Sequence, residues 1–164
     1  MDTIVYLSLG SNLGDREEHL RDALRRVLQC GRVTAVSSFY ETEPVEFTEQ
    51  AWFLNCALGL QTSLEAEQLM HGLLAIEKEM GRERVRKKGP RVIDIDILLY
   101  GDSVVNTAEV TIPHPAMASR RFVLEPLAEI AAGARHPLLD RTVRELLDGL
   151  PAGQVVRKLS PSSL

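Results

Sequence analysis

Gly89-Pro90-Arg91-Val92-Ile93-Asp94-Ile95-Asp96-Ile97-Leu98-Leu99-Tyr100-Gly101 reads as a strand bounded by turn residues, yet it carries two carboxylates where a strand favours none. Asp is depleted in strands, and like charges sharing one face repel. Ile93, Ile95 and Ile97 fall on one face at period two, so Asp94 and Asp96 share the other, with Cβ atoms roughly 6.6 Å apart at ~3.3 Å rise per residue. That spacing suits one or two Mg²⁺ ions held between the carboxylates. Directly upstream lies a cationic run of Arg82, Arg84, Arg86, Lys87, Lys88 and Arg91, broken by Glu83, Val85, Gly89 and Pro90. A positive segment beside a negative pair reads as a metal-nucleotide site. The bland alternatives are a solvated charge run and a strand whose charges resist edge aggregation.

The flanking sequence supplies the rest of the fold. Residues 3–9 alternate as a strand and end at Gly10-Ser11-Asn12. Asp15 and Glu18 have capping-box spacing, and Leu20, Ala23, Leu24, Val27 and Leu28 then recur at helical intervals up to Gly31. Residues 33–40 read as a second strand, 41–51 as a polar loop containing Pro44, and 52–61 as a third strand. A loop of about eleven residues is usually functional. Thr62 and Glu65 offer another capping box before Leu69, Leu73, Ile76 and Met80, with Gly81 as the C′ residue. The order strand, helix, strand, strand, helix, strand is the ferredoxin-like βαββαβ motif, an α+β fold with a mostly antiparallel sheet covered by helices. Beyond Pro113-His114-Pro115, residues 123–131 and 143–150 predict helical pieces, so C-terminal elements extend the core. From Pro151 onward a low-order tail is expected, and the whole of 1–164 reads as one domain.

At 164 residues the chain can bury roughly 68–70% of its unfolded surface in one core, so folding needs neither metal nor disulfide. A net charge of -4 argues against a nucleic-acid partner, because the basic residues are confined to one segment rather than spread over a surface. A local cationic patch on an acidic protein points to a small polyanion such as ATP. No run of eighteen apolar residues suggests a membrane span, and Met1-Asp2-Thr3-Ile4, without a cationic n-region, leads to the expectation of no signal peptide. Cys30 and Cys56 lack metal-like spacing and read as buried free thiols, so a cytoplasmic location is expected.

Three weaker signals accompany the Asp pair. Gly10-Ser11-Asn12-Leu13-Gly14 superficially resembles a phosphate-cradling loop, but fits neither Walker A nor the Rossmann fingerprint, and a tight turn explains it equally well. Phe53 and Asn55 share one strand face, an aromatic surface beside an amide able to read a planar heterocycle; a core Phe beside a satisfied Asn gives the same pattern. His114, held between two prolines, could bond a phosphate or ribose, although a lone His is more often structural. No Ser-His-Asp or Cys-His set has nucleophile spacing.

Together, Leu9-Gly10-Ser11-Asn12-Leu13-Gly14, Ser37-Ser38-Phe39-Tyr40-Glu41-Thr42, Phe53-Leu54-Asn55 and the run from Lys87 to Leu98 resemble the 6-hydroxymethyl-7,8-dihydropterin pyrophosphokinase family. Pro113-His114-Pro115 and the run from Arg120 to Leu127 extend the likeness in the expected order. The resemblance implies transfer of pyrophosphate from ATP to a pterin alcohol in folate biosynthesis, with AMP released. It implies two Mg²⁺ ions on Asp94 and Asp96, with Arg82 and Arg91 as the catalytic cations on the transferring phosphates. Glu77, Arg84, Ile97, Thr111, His114 and Arg120 would line the ATP site, and Thr42, Val45, Phe53, Asn55 and Phe122 the pterin site. Expected partners are these small molecules alone, with no nucleic acid and no membrane, for a monomer or weak homodimer. Three positions depart from the family pattern. Lys88 stands where many relatives carry a Trp, Phe53 replaces a frequent Tyr, and Glu43 stands where a relative can have Pro, which predicts a less rigid start to the following loop.

Overall fold

The computed structural model describes residues 2–43, 51–81 and 92–159. Strand β1 (Thr3–Ser11) buries Val5, Leu7 and Leu9 completely. Helix α1 (Arg16–Val27) starts where Asp15 accepts the Glu18 N–H at 3.1 Å, as its spacing predicts. Its stripe buries Leu20, Ala23 and Val27, while Leu28 caps the helix and stays exposed. After β2 (Arg32–Val36), β3 (Tyr40–Thr42) and β4 (Phe53–Thr62), helix α2 (Ala66–Glu79) buries Leu69, Leu73 and Ile76 and ends at Gly81, which takes φ +88°. Strand β5 (Asp94–Tyr100) follows.

β1 pairs antiparallel with both β4 and β5, and β4 pairs in turn with β2 and β3. These strands and the two helices form the expected ferredoxin-like core. A hairpin of β6 (Val105–Asn106) and β7 (Thr111–Ile112) leads to α3 (Arg121–Ala131). A second hairpin, β8 (Arg135–His136) with β9 (Arg141–Thr142), leads to α4 (Val143–Asp148). The sheet separates two cores. One joins Leu7, Leu9, Leu58, Ile95 and Ile97 to α1 and α2; the other joins Ala57, Leu98 and Leu99 to Leu124, Leu127 and Leu146 of α3 and α4. A register shift between Tyr6 and Leu7 in the β1–β5 ladder lies beside the point where β5 changes core, between Ile97 and Leu98.

Three expectations need correcting. The predicted second strand is two strands, because Ser37 and Ser38 divert the ladder into side-chain bonds. Ser37 Oγ accepts the Ala57 N–H at 2.8 Å and donates to Ser38 O at 2.8 Å. Ser38 donates its N–H and hydroxyl to Glu129 of α3 at 2.9 and 3.0 Å, and Tyr40 Oη donates to the same carboxylate at 2.6 Å. The second correction concerns α2, whose N-cap is Glu65. Gln68 accepts the Glu65 N–H at 2.9 Å, while Thr62 ends β4, donates to Cys30 O and accepts the Leu64 N–H. Finally, the expected tail contains β10 (Val156–Lys158), which pairs with β3.

Glu129 therefore joins α3 to the break between β2 and β3. Burial pushes its carboxyl up, but the bonds from Tyr40 and Ser38 outweigh burial and hold it below the usual carboxylate range. Glu129→Ala should lower stability to urea by about 1–2 kcal/mol, because the Ser38 N–H loses its acceptor. A depressed folded pKa stabilises above the ordinary value of about 4.3, and that stabilisation is lost as pH falls through the folded value. Glu129→Gln should accordingly flatten the fall in stability as pH drops below the ordinary carboxylate value of about 4.3.

Candidate active site

Strand register assembles the site across three strands. Gly10 of β1 lies opposite Asn55 of β4 on one side and Asp94 of β5 on the other, and Ser8 lies opposite Ala57 and Asp96. Directly opposed residues share a face, as do residues two apart. Asp94, Asp96, Phe53 and Asn55 thus share one face of the sheet, opposite to the face that packs Ile95 on α1 and α2. β3 adds Thr42, which sits opposite Phe53. Asn55 is 3% exposed and donates Nδ2–H to Thr42 Oγ1 at 2.6 Å, which orients the carboxamide. Its Oδ1 lies where a side chain at position 10 would stand: a Cβ there would fall far inside van der Waals contact with Oδ1 and 3.5 Å from Phe53 Cδ1. Gly10 is required at this rung for its lack of a side chain, a role distinct from any phosphate loop.

Asp94 and Asp96 are half-buried. Between them, the Ile95 N–H donates to Glu77 Oε2 at 2.7 Å. Glu77, expected at the nucleotide, is 3% exposed and makes this bond from α2, fixing the main chain of β5 between the two aspartates. Among the described residues no group of three His, Cys, Asp or Glu side chains could hold a metal. The donor set nevertheless fits Mg²⁺, which commonly takes one or two carboxylates and completes its shell with water and substrate phosphates.

His114 is brought to the pair by its main chain, whose N–H donates to Leu98 O of β5 at 3.0 Å. Its Nδ1 accepts the Ala116 N–H at 3.2 Å, which leaves the proton of a neutral ring on Nε2. Burial lowers its pKa, the Arg120 charge lowers it further, and the Asp94 carboxylate opposes both. The ring therefore lies within electrostatic reach of an aspartate and an arginine. Arg120 precedes α3 and places its guanidinium 5.6 Å from the centre of the Phe122 ring. Thr111 is exposed in β7, three residues before His114. Ile97 is 2% exposed with its side chain in the α1–α2 core, so any contact it makes with a nucleotide runs through its main chain. Arg82, Arg84, Arg91 and Val45 lie outside the described residues, as does Lys88.

Sequence reading missed the supports around Thr42. Glu41 is held by Arg16 at 2.9 Å and Arg157 at 2.6 Å, which lowers its carboxyl pKa, the Arg16 bond contributing most. Arg16 also donates to Trp52 O at 2.9 Å, and Asn12 donates to Ala51 O at 3.1 Å. No local pattern flags these bonds, because their partners are 25 to 116 residues apart.

Comparison with known proteins places this arrangement. Residues 6–132 match the family model described as 7,8-dihydro-6-hydroxymethylpterin-pyrophosphokinase. The chain belongs to this family. It is 48% identical over 132 residues to the 2-amino-4-hydroxy-6-hydroxymethyldihydropteridine pyrophosphokinase of Bacillus subtilis, covering 79% of each chain. The Methylorubrum extorquens protein of the same name is 43% identical over 154 residues, covering 92% of this chain and 96% of that one. "Folic acid synthesis protein fol1" of Pneumocystis carinii is 45% identical over 135 residues; the match takes in 82% of this chain but 18% of that protein. Among solved structures, a Plasmodium falciparum HPPK-DHPS superposes with a TM-score of 0.71 at 18% identity, over 90% of this chain and 42% of that one, and supports the fold. The aspartate pair, Phe53, Asn55, His114, Arg120 and Phe122 all fall inside the segment that the pyrophosphokinase family model matches.

Gly10→Ala should displace the Asn55 carboxamide while leaving the core intact. A planar heterocycle would then bind on the order of tenfold more weakly, since a buried amide loses its geometry; titration calorimetry with a pterin, alongside a melting curve, measures both effects. Nitrogen NMR of His114 should show a neutral, Nε2-protonated ring at pH 7 that titrates below the ordinary 6.5 or so. A histidine with a depressed folded pKa stabilises above that value and loses its contribution as pH falls below it.

Proposed function

We propose that the protein catalyses Mg²⁺-dependent transfer of pyrophosphate from ATP to the hydroxymethyl group of 6-hydroxymethyl-7,8-dihydropterin, releasing AMP, as a step of folate synthesis. The observation that carries this reading is the register that sets Asp94 and Asp96 on the same sheet face as Phe53 and Asn55, with side-chain-free Gly10 between them. One end of the face suits a metal-bound polyphosphate; the other suits a flat, hydrogen-bonding ring.

The substrate hydroxyl oxygen attacks the β-phosphorus of ATP, the bond from that phosphorus to the α–β bridging oxygen breaks, and the bridging oxygen leaves with AMP. The hydroxyl proton passes to solvent. Asp94 and Asp96 would hold two Mg²⁺ ions, which when bound supply charge neutralisation on the phosphate oxygens. Arg82 and Arg91, which lie outside the described residues, would be the cations on the transferring phosphates, a task that suits Arg because its guanidinium can pair bidentately with phosphate oxygens. His114, neutral and carrying its proton on Nε2, donates to the nucleotide without needing to titrate. Arg120 adds a cation beside His114, and by the family likeness Ile97, Thr111 and Arg84, the last outside the described residues, would border the nucleotide. Glu77 acts through Ile95, holding β5 so that both aspartates keep their aim.

On the pterin side, Asn55 reads donor and acceptor edges of the ring, Thr42 orients Asn55, and Phe53 and Phe122 give the flat faces. Val45, outside the described residues, would join the pterin contacts by the family likeness alone. No side chain here acts as a strong general base; positioning and charge neutralisation supply the acceleration, as is usual where a phosphoryl-type group is transferred.

Incubation with ATP, Mg²⁺ and the dihydropterin alcohol should release AMP in equal amount to pyrophosphorylated pterin. ADP in its place would indicate simple phosphorylation. Asp96→Ala should lower kcat by on the order of 10²-fold or more at saturating Mg²⁺, and near-normal turnover in that variant would sink the metal assignment.

A further inference from the structure

The segment from Gln154 to Lys158 lies beyond residue 132, where the family match ends, yet it grips the residues on both sides of Thr42. β10 pairs antiparallel with β3, setting Val156 opposite Thr42, Arg157 opposite Glu41 and Lys158 opposite Tyr40. Arg157 bonds the Glu41 carboxylate at 2.6 Å and stacks its guanidinium 5.0 Å from the centre of the Trp52 ring. On the other side of Thr42, three bonds join Glu43 to Gln154 and Val155. The Glu43 N–H donates to Val155 O at 3.2 Å, Glu43 Oε1 accepts the Val155 N–H at 2.8 Å, and Glu43 O accepts from Gln154 Nε2 at 2.6 Å.

This contact is a poor candidate for general stability. Neither apolar core takes a fully buried side chain from residues 154–158, and Val155, Arg157 and Lys158 are exposed. The contact does hold the main chain on both sides of Thr42, whose hydroxyl accepts from Asn55 at 2.6 Å. Glu43 is also the position at which a proline in a relative would be rigid by itself. A proline could neither donate an N–H to Val155 nor accept from it through a side chain. Here three hydrogen bonds from the C-terminal segment hold that position instead.

We infer that Gln154, Val155 and β10 form a clasp on Glu43 that sets Thr42, and through it the Asn55 carboxamide, so that the C-terminal segment positions the pterin half of the site. This rests on the reading of Thr42 and Asn55 as pterin contacts. Glu43 and Gln154 are positioning residues, remote from the reacting atoms.

The test measures KM for each substrate and kcat, by AMP release, in Glu43→Ala, Gln154→Ala, their double variant and Glu43→Gln, with melting curves for all four. Glu43→Ala should raise the pterin KM by about tenfold, one lost charge-assisted contact, with the ATP KM and kcat within about twofold of wild type. Glu43→Gln keeps an acceptor for the Val155 N–H and should restore most of the affinity. The double variant should cost less than the two single effects combined, because both act on one clasp. A pterin KM unmoved in Glu43→Ala, or a parallel rise in both KM values that follows the melting temperature, overturns the clasp while leaving the activity standing. Wild-type protein that releases no AMP removes the parent reading and the clasp's role with it.

Discussion

A side chain at position 10 would occupy the space of the Asn55 carboxamide, and this steric exclusion in β1 organises the whole face on which the site is built. β1 lies between β4 and β5, so whatever crosses from the Asn55 side to the aspartate side must pass over it. With Ser8 and Gly10 at its rungs, β1 presents little bulk there. The opposite face of the same strand is filled by Leu7 and Leu9 and could not serve. A one-residue slip in either ladder would exchange these faces, moving leucines under the site and carboxylates into the core. The buried apolar face therefore enforces the register that the site needs, and core packing and site geometry rest on one constraint.

The elements that sequence showed best were those with long, unambiguous periods. Alternation of Ile93, Ile95 and Ile97 with Asp94 and Asp96 predicts which side of β5 faces the core, and Ile95 and Ile97 pack there. Asp15 and Gly81 mark helix ends that the structure places as expected. Where side chains replace backbone partners, local pattern fails. Ser37 and Ser38 have adequate strand character, but their hydroxyl bonds to Ala57 and Glu129 depend on residues 20 and 91 positions away. Thr62 looks like an N-cap because Glu65 follows at the right spacing, yet its hydroxyl is drawn to Cys30 O in the turn before β2.

The site itself was legible in unequal parts. The aspartates could be read from charge and spacing, since a strand tolerates such residues only for a reason. The face of Phe53 and Asn55, proposed above for a planar ring, has an ordinary core interpretation in the sequence, and only register shows that it adjoins Gly10. Glu77 had no local signature at all, and its bond to Ile95 exists only because α2 packs beside β5. β10 was invisible for the opposite reason: three residues with two exposed cations carry no apolar period, and they become a strand only through pairing with β3.

The buried carboxyl of Glu77 shows how the fold is subordinated to the site. Moving a carboxyl group out of water is costly unless it is bonded, and an apolar residue on that face of α2 would pack the core without the cost. The bond it makes is to the N–H of the residue between the two aspartates. Among the described residues β5 is the last strand of the sheet path, so one of its edges has no neighbouring strand there. Its position would otherwise depend on a single ladder with β1, one already interrupted by a register shift. Glu77 from α2 and the His114 N–H, bonded to Leu98 O, supply main-chain anchors for β5 that the missing neighbour cannot. An edge strand is easily displaced, and two carboxylates carried on it would then lose their position relative to Asn55 and His114. Two polar anchors convert that edge into a fixed platform, which is why a pair of aspartates can work from the end of a sheet.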